Sequence, residues 1–317
     1  MIDTIHLHLS PEYINNDYSE FLLENYPDLE IRQKKQIITY TLKLNNLYIT
    51  YNPVIGFKIE NSLTKYQYGN NQQTLTFQDI TELIEELSQI FQLPLINSKV
   101  RRLDIADNII TIKPPELYCQ IMESASRFKK LEQGKGLNFN TTNRAMVFYN
   151  KKKEIKNQEA LEILKGQNVL RFEYRYLKHQ ALANFLKLTE VTLKDVLINY
   201  QIIIDSWCDA FDSITKRNEV LTFKPEVFKT KGGFNEQVKI LGLNALGSYS
   251  EICTLIENAK SKGFMSYPNQ STNAKKLAKD LLSKPLLTEK SELAIELEKK
   301  VKIISFINSQ EYLNSCG

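Results

Sequence analysis

Asn168-Val169-Leu170-Arg171-Phe172-Glu173-Tyr174-Arg175-Tyr176-Leu177 interleaves Leu170, Phe172, Tyr174 and Tyr176 with Arg171, Glu173 and Arg175. Side chains on a β-strand alternate between its two faces, so this stretch is a strand with one apolar and one charged face. A carboxylate between two arginines reads in two ways. It is a satisfied ionic ladder, or it completes a divalent-metal site with a second acidic strand. Val100-Arg101-Arg102-Leu103-Asp104-Ile105-Ala106-Asp107 supplies such a strand. Leu103 and Ile105 share one face, while Arg102, Asp104 and Ala106 share the other. An aspartate in an apolar strand needs a partner or a metal, so an Arg102–Asp104 pair and a metal site are both open.

Between these strands lies Asn143-Arg144-Ala145-Met146-Val147-Phe148-Tyr149-Asn150-Lys151-Lys152-Lys153-Glu154. An apolar strand ends on a tyrosine, and three lysines follow. From 127 to 156 there are nine Lys/Arg against Glu132 and Glu154, a net +7 in a chain whose total is +4. One reading is an exposed tyrosine at a strand end followed by a solvated charge run. The other is chemical: a phenol among ammonium groups can attack a phosphodiester, because the cations attract the polyanion and favour the phenolate.

The remaining chain surrounds these strands with regular elements. Residues 2–9 read as a first strand with His6 and His8 on one face. That pattern is either a plain strand or half of a metal site. Residues 11–30 read as helix and loop. Segments 36–44, 47–52 and 55–61 form an antiparallel meander with Asn-Asn and Asn-Pro turns. Thr76-x-x-Asp79 is a capping box opening an amphipathic helix. Pro114-Pro115 start a helix extending to about residue 127, followed by a strand near 136–140. Residues 151–165, 179–187 and 191–214 read as helical, and 217–233 as a linker. A helix over 234–241, a turn at Gly242 and a second capping box at Ser248-x-x-Glu251 suit a helix-turn-helix or any antiparallel helix pair. Between Lys260 and Lys284 six lysines face one aspartate, a composition suited to DNA contact. A last amphipathic helix spans 288–312.

The fold class is therefore α+β, with an antiparallel sheet and flanking helices over 1–216 and a mostly helical DNA-binding or accessory region over 217–317. The length of 317 residues is enough for a substantial core, and 42% hydrophobic with 25% charged residues is ordinary for a globular chain. Met1-Ile2-Asp3-Thr4 does not open an export signal, no apolar run approaches a membrane span, and Cys119, Cys208, Cys253 and Cys316 are widely spaced. These features suit a cytoplasmic protein with reduced thiols. No Walker loop, Gly-x-Gly-x-x-Gly or zinc-ligand spacing is present, so nothing suggests bound nucleotide or zinc.

Arg-Leu-Asp-Ile-Ala-Asp (102–107), Arg-Ala-Met-Val-Phe-Tyr-Asn-Lys-Lys-Lys-Glu (144–154) and Leu-Arg-Phe-Glu-Tyr-Arg-Tyr-Leu-Lys (170–178) occur in that order. Together they resemble the filamentous-phage gene II/X replication proteins and their plasmid relatives. More distantly they resemble staphylococcal rolling-circle plasmid initiators. The resemblance implies a metal-dependent DNA nicking-joining endonuclease that initiates rolling-circle replication through a covalent phosphotyrosine. It places the nucleophile at Tyr149, with Lys151, Lys152 and Lys153 lowering its pKa and cradling the phosphate. The staphylococcal group carries its nucleophile downstream of the Arg-x-Glu strand, where residues 180–188 have no tyrosine.

Asp104 and Glu173, either sufficient by themselves or joined by His6 and His8, are the implied ligands of Mg²⁺ or Mn²⁺. Arg102, Arg144, Arg171, Arg175, Lys129 and Lys130 are the candidate phosphate contacts. The implied partners are phage or plasmid origin DNA, duplex and single-stranded, and a host helicase and polymerase. The alternatives are a non-catalytic origin-binding protein or repressor, and a structural protein without nucleic acid.

Overall fold

A computed structural model describes residues 1–34, 37–133, 136–155, 162, 164–217, 223–230, 232–284 and 291–316. Twelve strands are named in chain order. The first six are β1 (Ile2–Leu9), β2 (Glu30–Lys34), β3 (Ile37–Leu44), β4 (Leu47–Asn52), β5 (Gly56–Ser62) and β6 (Lys99–Thr111). The others are β7 (Met122–Ala125), β8 (Lys129–Gln133), β9 (Gly136–Asn140), β10 (Arg144–Asn150), β11 (Asn168–Tyr176) and β12 (Ile214–Lys216). Among the described residues, ten of these build one sheet in the order β2-β3-β4-β5-β1-β6-β11-β10-β9-β8. Every pairing in it is antiparallel. The first strand therefore lies in the interior of the sheet.

Alternation fixes which face is buried. Leu170, Phe172, Tyr174 and Tyr176 of β11 are buried among the core residues, as are Met146 and Phe148 of β10 and Leu103 and Ile105 of β6. Phe148 and Phe172 stack at 4.4 Å across the β10–β11 pair. A slip of one residue would turn Arg171, Glu173 and Arg175 toward this core, where unpaired charges cost several kcal/mol each. The register is thus set by the sequence pattern itself.

Helices flank the sheet. They are α1 (Tyr18–Asn25), α2 (Leu63–Tyr68), α3 (Phe77–Phe91) and α4 (Pro115–Ile121), a single turn α5 (Lys151–Glu154), α6 (His179–Leu186), α7 (Leu193–Ile198) and α8 (Tyr200–Asp212). The capping box of α3 forms as expected, with Asp79 N–H donating to Thr76 Oγ1 at 3.1 Å and Thr76 N–H to Asp79 Oδ2 at 2.8 Å. Ile80, Leu83, Ile84, Leu87 and Phe91 then form its buried stripe. Trp207 of α8 lies 4.9 Å from the Phe172 ring and donates its indole N–H to the Phe172 carbonyl at 3.3 Å.

The chain separates into two compact units, Met1–Arg217 with Glu292–Gly317, and Asn218–Ser291. Three helices of the second unit are α9 (Gly233–Leu246), α10 (Tyr249–Ser261) and α11 (Gln270–Leu282). The final helix, α12 (Glu292–Cys316), packs on α8, α3, α4 and β6 of the sheet unit. The sequence boundary at 217 thus encloses a helix that folds with the first unit, because Leu297 and Val301 are fully buried in its core.

Other local expectations shift. The helix from Pro115 stops at Ile121, and Met122–Ala125 forms β7, paired with β12. The 191–214 helix divides at Asn199 into α7 and α8. Gly242 lies inside α9, and Gly247, at φ 112°, makes the break. Of the 151–165 helix, Lys151–Glu154 forms a single turn that ends at an extended Ile155, Glu162 is helical, and 156–161 and 163 lie outside the described residues. Lys275 and Lys284 pair with Glu257 and Glu236, so part of the 260–284 basic charge is already compensated. No helix of the described residues is long and apolar enough to cross a membrane, and Cys119, Cys208 and Cys253 carry free thiols.

Candidate active site

The face of the sheet opposite the core carries the polar side chains in cross-strand rows. One row runs Lys43, Tyr48, Glu60, His6, Arg102 from β3 to β6. A second runs Thr4, Asp104, Arg175, Ala145, Asn140, Lys129 from β1 to β8. A third aligns Ala106, Glu173, Val147 and Asn138, and a fourth Asn108, Arg171, Tyr149 and Gly136. Antiparallel register thereby brings Tyr149, Glu173, Arg171, Arg175, Asp104 and Arg102 onto one surface.

Tyr149, the penultimate residue of β10, donates its hydroxyl to Glu173 Oε1 at 2.8 Å. The same oxygen accepts from Arg171 Nε at 2.8 Å, and Oε2 accepts from Arg175 Nε at 2.8 Å and from Arg175 Nη2. Burial alone would raise the Glu173 pKa, but Arg171 and Arg175 outweigh it and hold the carboxyl at about 2. Asp104 is clasped bidentately by Arg102, Nε to Oδ1 at 2.9 Å and Nη2 to Oδ2 at 2.7 Å, with Arg175 Nε 3.6 Å away. Its pKa stays raised, because burial exceeds what the two arginines offset. Arg171 is fully buried and also pairs with Asp3 at 3.0 Å, Asn108 Oδ1 at 3.2 Å and the Asn71 carbonyl at 3.3 Å.

This arrangement reverses one expectation. The lysines were expected to lower the Tyr149 pKa, yet the phenol is raised, first by burial and then by the adjacent Glu173 charge. Lys151 is buried and donates to Asn71 Oδ1 and Glu154, with its ammonium 5.9 Å from the Tyr149 ring centre. Burial, followed by the Arg171 charge, lowers its own pKa. Lys152 reaches the Gln167 carbonyl at 3.1 Å, and Lys153 pairs with Glu116 at 2.6 Å. Local sequence could not disclose this, since Glu173 and Asn71 arrive from distant strands and loops.

A family model for the N-terminal domain of the phage gene II replication-associated protein matches residues 28–194, more than half of the chain. The chain belongs to this family. It is thus a phage replication-associated protein of the gene II family, as the ordered motifs at 102–107, 144–154 and 170–178 imply. No individual curated protein matches it.

In this gene II-family chain the matched region holds β6, β10 and β11, while His6 and His8 precede it. His6 Nδ1 lies 3.5 Å from Glu60, and burial lowers its pKa. His8 Nδ1 faces Arg101 Nη2 at 3.0 Å, so its Nε2 carries the proton that is donated to the Ile55 carbonyl at 2.8 Å. Neither ring joins Asp104 and Glu173: among the described residues no group of three or more His, Cys, Asp or Glu could hold a metal. The donor set as arranged does not fit Mg²⁺ or Mn²⁺, since guanidinium groups occupy both carboxylates.

The phosphate-contact candidates also separate. Arg102 and Arg175 keep 28% and 29% of their side chains exposed, against 2% for Arg171, so the first two can meet a ligand and Arg171 positions its neighbours. Lys129 is exposed at the end of the second row, whereas Lys130 alternates to the other face and pairs with Glu132 at 3.1 Å. Arg144 lies on the core side, 5.6 Å from the Phe128 ring and 3.2 Å from the Tyr174 hydroxyl.

Asp3, Asn71, Asn108 and Gly136 support the site although no motif points to them. A side chain at Gly136 would meet the Phe148 carbonyl at 2.5 Å and Tyr149 Cβ at 3.1 Å, so glycine permits the close approach of β9 beneath the tyrosine. Asp3, an acid near the start of an apolar strand, is the one readable signal among them.

Proposed function

We propose that this protein initiates rolling-circle replication by nicking and rejoining one strand of phage or plasmid origin DNA, with Tyr149 as nucleophile. The observation that carries the proposal is the Tyr149–Glu173 hydrogen bond, set between Arg171 and the partly exposed Arg175. The phenolic oxygen attacks phosphorus, the P–O3′ bond breaks, and the products are a 5′-phosphotyrosyl enzyme and a strand ending in a 3′-OH. As the new O–P bond forms, the phenol becomes acidic and its proton passes to Glu173, the group within hydrogen-bond reach. The proton is returned to the departing 3′ oxygen through solvent. Rejoining runs the same steps backwards, so the phosphodiester energy is retained in the tyrosyl ester.

Arg175 and Arg102 are the phosphate contacts in this reading, with Lys129 extending the track. Their charge-assisted forks supply preorganised stabilisation for the equatorial oxygens. Arg171 acts as a positioning residue. The free 3′-OH would serve a host polymerase, with a host helicase opening the duplex. Mg²⁺ or Mn²⁺ is a condition for the assay to vary.

The test uses a supercoiled plasmid carrying the cognate origin, with and without Mg²⁺ or Mn²⁺. A denaturation-resistant protein–DNA adduct is expected from the native protein and not from Tyr149→Phe. Nicking by Tyr149→Phe at the native rate would remove Tyr149 from the mechanism. DNA binding without an adduct under every metal condition would assign the protein as a non-catalytic origin binder or repressor.

A further inference from the structure

A polar cleft of about 570 Å³ lies between the β3–β4 hairpin tip and α2. Lys43, Asn45, Asn46, Tyr48, Lys65 and Tyr66 line it. Tyr48 stands on the open face of the sheet with 49% of its surface exposed, and the Lys43 ammonium lies 6.0 Å from its ring centre. An exposed tyrosine on a β-strand contributes little to folding, yet offers a flat apolar face beside two cations.

The amides around it have unequal satisfaction. Asn46 Nδ2 donates to the Ser62 carbonyl at 2.9 Å, while Asn46 Oδ1 is shielded from solvent without a partner among the described residues. Asn61 holds the turn from the other side, its Nδ2 donating to the Asn46 carbonyl at 2.9 Å, at a backbone φ of 117°. That conformation is costly for a residue with a side chain and persists where the surroundings enforce it.

A chain of charged contacts joins the cleft to the nucleophile. Lys65 lies 4.0 Å from Glu154 Oε1, Glu154 Oε2 pairs with Lys151, and the Lys151 ammonium is 5.9 Å from the Tyr149 ring centre. Two ion pairs therefore separate a lysine of the cleft from the neighbour of the nucleophile.

We propose that this cleft seats one unpaired nucleotide of the strand being cut, an inference that rests on the nicking reading above. Lys43 and Lys65 take the phosphate, and the Tyr48 ring stacks on the base. Stacking of this kind tolerates any base, because each presents a π-face. Lysines with no bidentate partner suit a backbone phosphate as point charges. The subsite would hold the strand taut beside the phosphodiester presented to Tyr149.

The probe is a fluorescein-labelled single-stranded oligodeoxythymidylate, titrated by anisotropy into the full-length Tyr149→Phe protein, which cannot cut it. Adding Tyr48→Ala should weaken binding about 5- to 150-fold, the equivalent of one lost stacking contact. Tyr48→Phe should retain affinity, and Lys43→Gln should lower the slope of log affinity against log salt by about 0.7. Unchanged oligonucleotide binding by Tyr48→Ala would overturn the subsite. Such a result, together with a native adduct on origin DNA, would leave the nicking reading standing. Tyr48-dependent binding with no adduct would do the reverse.

Discussion

The hydroxyl of Tyr149 and the carboxylate of Glu173 meet at 2.8 Å across the β10–β11 pair, although 24 residues separate them along the chain. The pairing defines two opposite preferences. Glu173 is held ionised by Arg171 and Arg175, while burial and the Glu173 charge hold Tyr149 in its neutral form. A proton donor and an ionised acceptor therefore coexist over the whole working pH range.

We expect that nicking consequently shows little pH dependence between about pH 6 and pH 9, since the acceptor is already ionised and the proton moves during attack. Glu173→Gln should slow single-turnover cleavage by roughly 10²- to 10⁴-fold. It should also convert the flat profile into one that rises with pH, because phenolate must then form beforehand. A native rate that climbs tenfold per pH unit would refute proton transfer to Glu173.

The same carboxylate links stability to acid. Its pKa of about 2 in the folded protein lies below the ordinary 4.5, a difference of roughly 3 kcal/mol at about 1.4 kcal/mol per pH unit. A depressed carboxylate stabilises the fold above its unfolded pKa, and that stabilisation drains away as the pH drops from 4.5 toward 2. Urea unfolding should therefore find Glu173→Gln less stable than the native protein near pH 7, with the gap closing below pH 4.5. A gap that stayed constant across this window would sink the linkage.

Salt dependence can separate the two faces of the sheet. Arg102→Ala and Lys129→Ala should each lower the salt slope of duplex binding by about 0.9, the value for one phosphate contact. Arg144→Ala should leave that slope unchanged, since its guanidinium is engaged with Phe128 and Tyr174 on the core side. Equal effects at all three positions would mean that DNA does not lie along the open face.

Much of this surface was legible where the signal is local. The alternation in 168–177, the Arg102–Asp104 spacing and the Thr76–Asp79 capping box each describe contacts within a few residues, and all three form. What was illegible depends on distant partners. The lysines after Tyr149 looked like its activators until Asn71, 80 residues from Lys151, took the first ammonium. Met122–Ala125 has no helical breaker before it and became a strand only because residues 214–216 pair with it. The sharing of one aspartate, Asp3, between Ser62 and Arg171 likewise leaves no local trace.

The return of α12 to the sheet unit changes what it means to remove the second unit. Residues 218–291 interrupt the sheet unit in sequence, and the side chains of Lys216 and Glu298, on either side of the excursion, stand 3.8 Å apart. They form a parenthesis in the chain, tethered twice. A stop codon after Arg217 would strip the buried Leu297 and Val301 from their core, and losses of about 2–5 kcal/mol per large aliphatic side chain would compound. Splicing 217 to 292 through a short flexible linker should instead leave the melting temperature of the sheet unit nearly native by calorimetry. If the splice melts as low as the truncation, the two tethers do not bracket an independent insert.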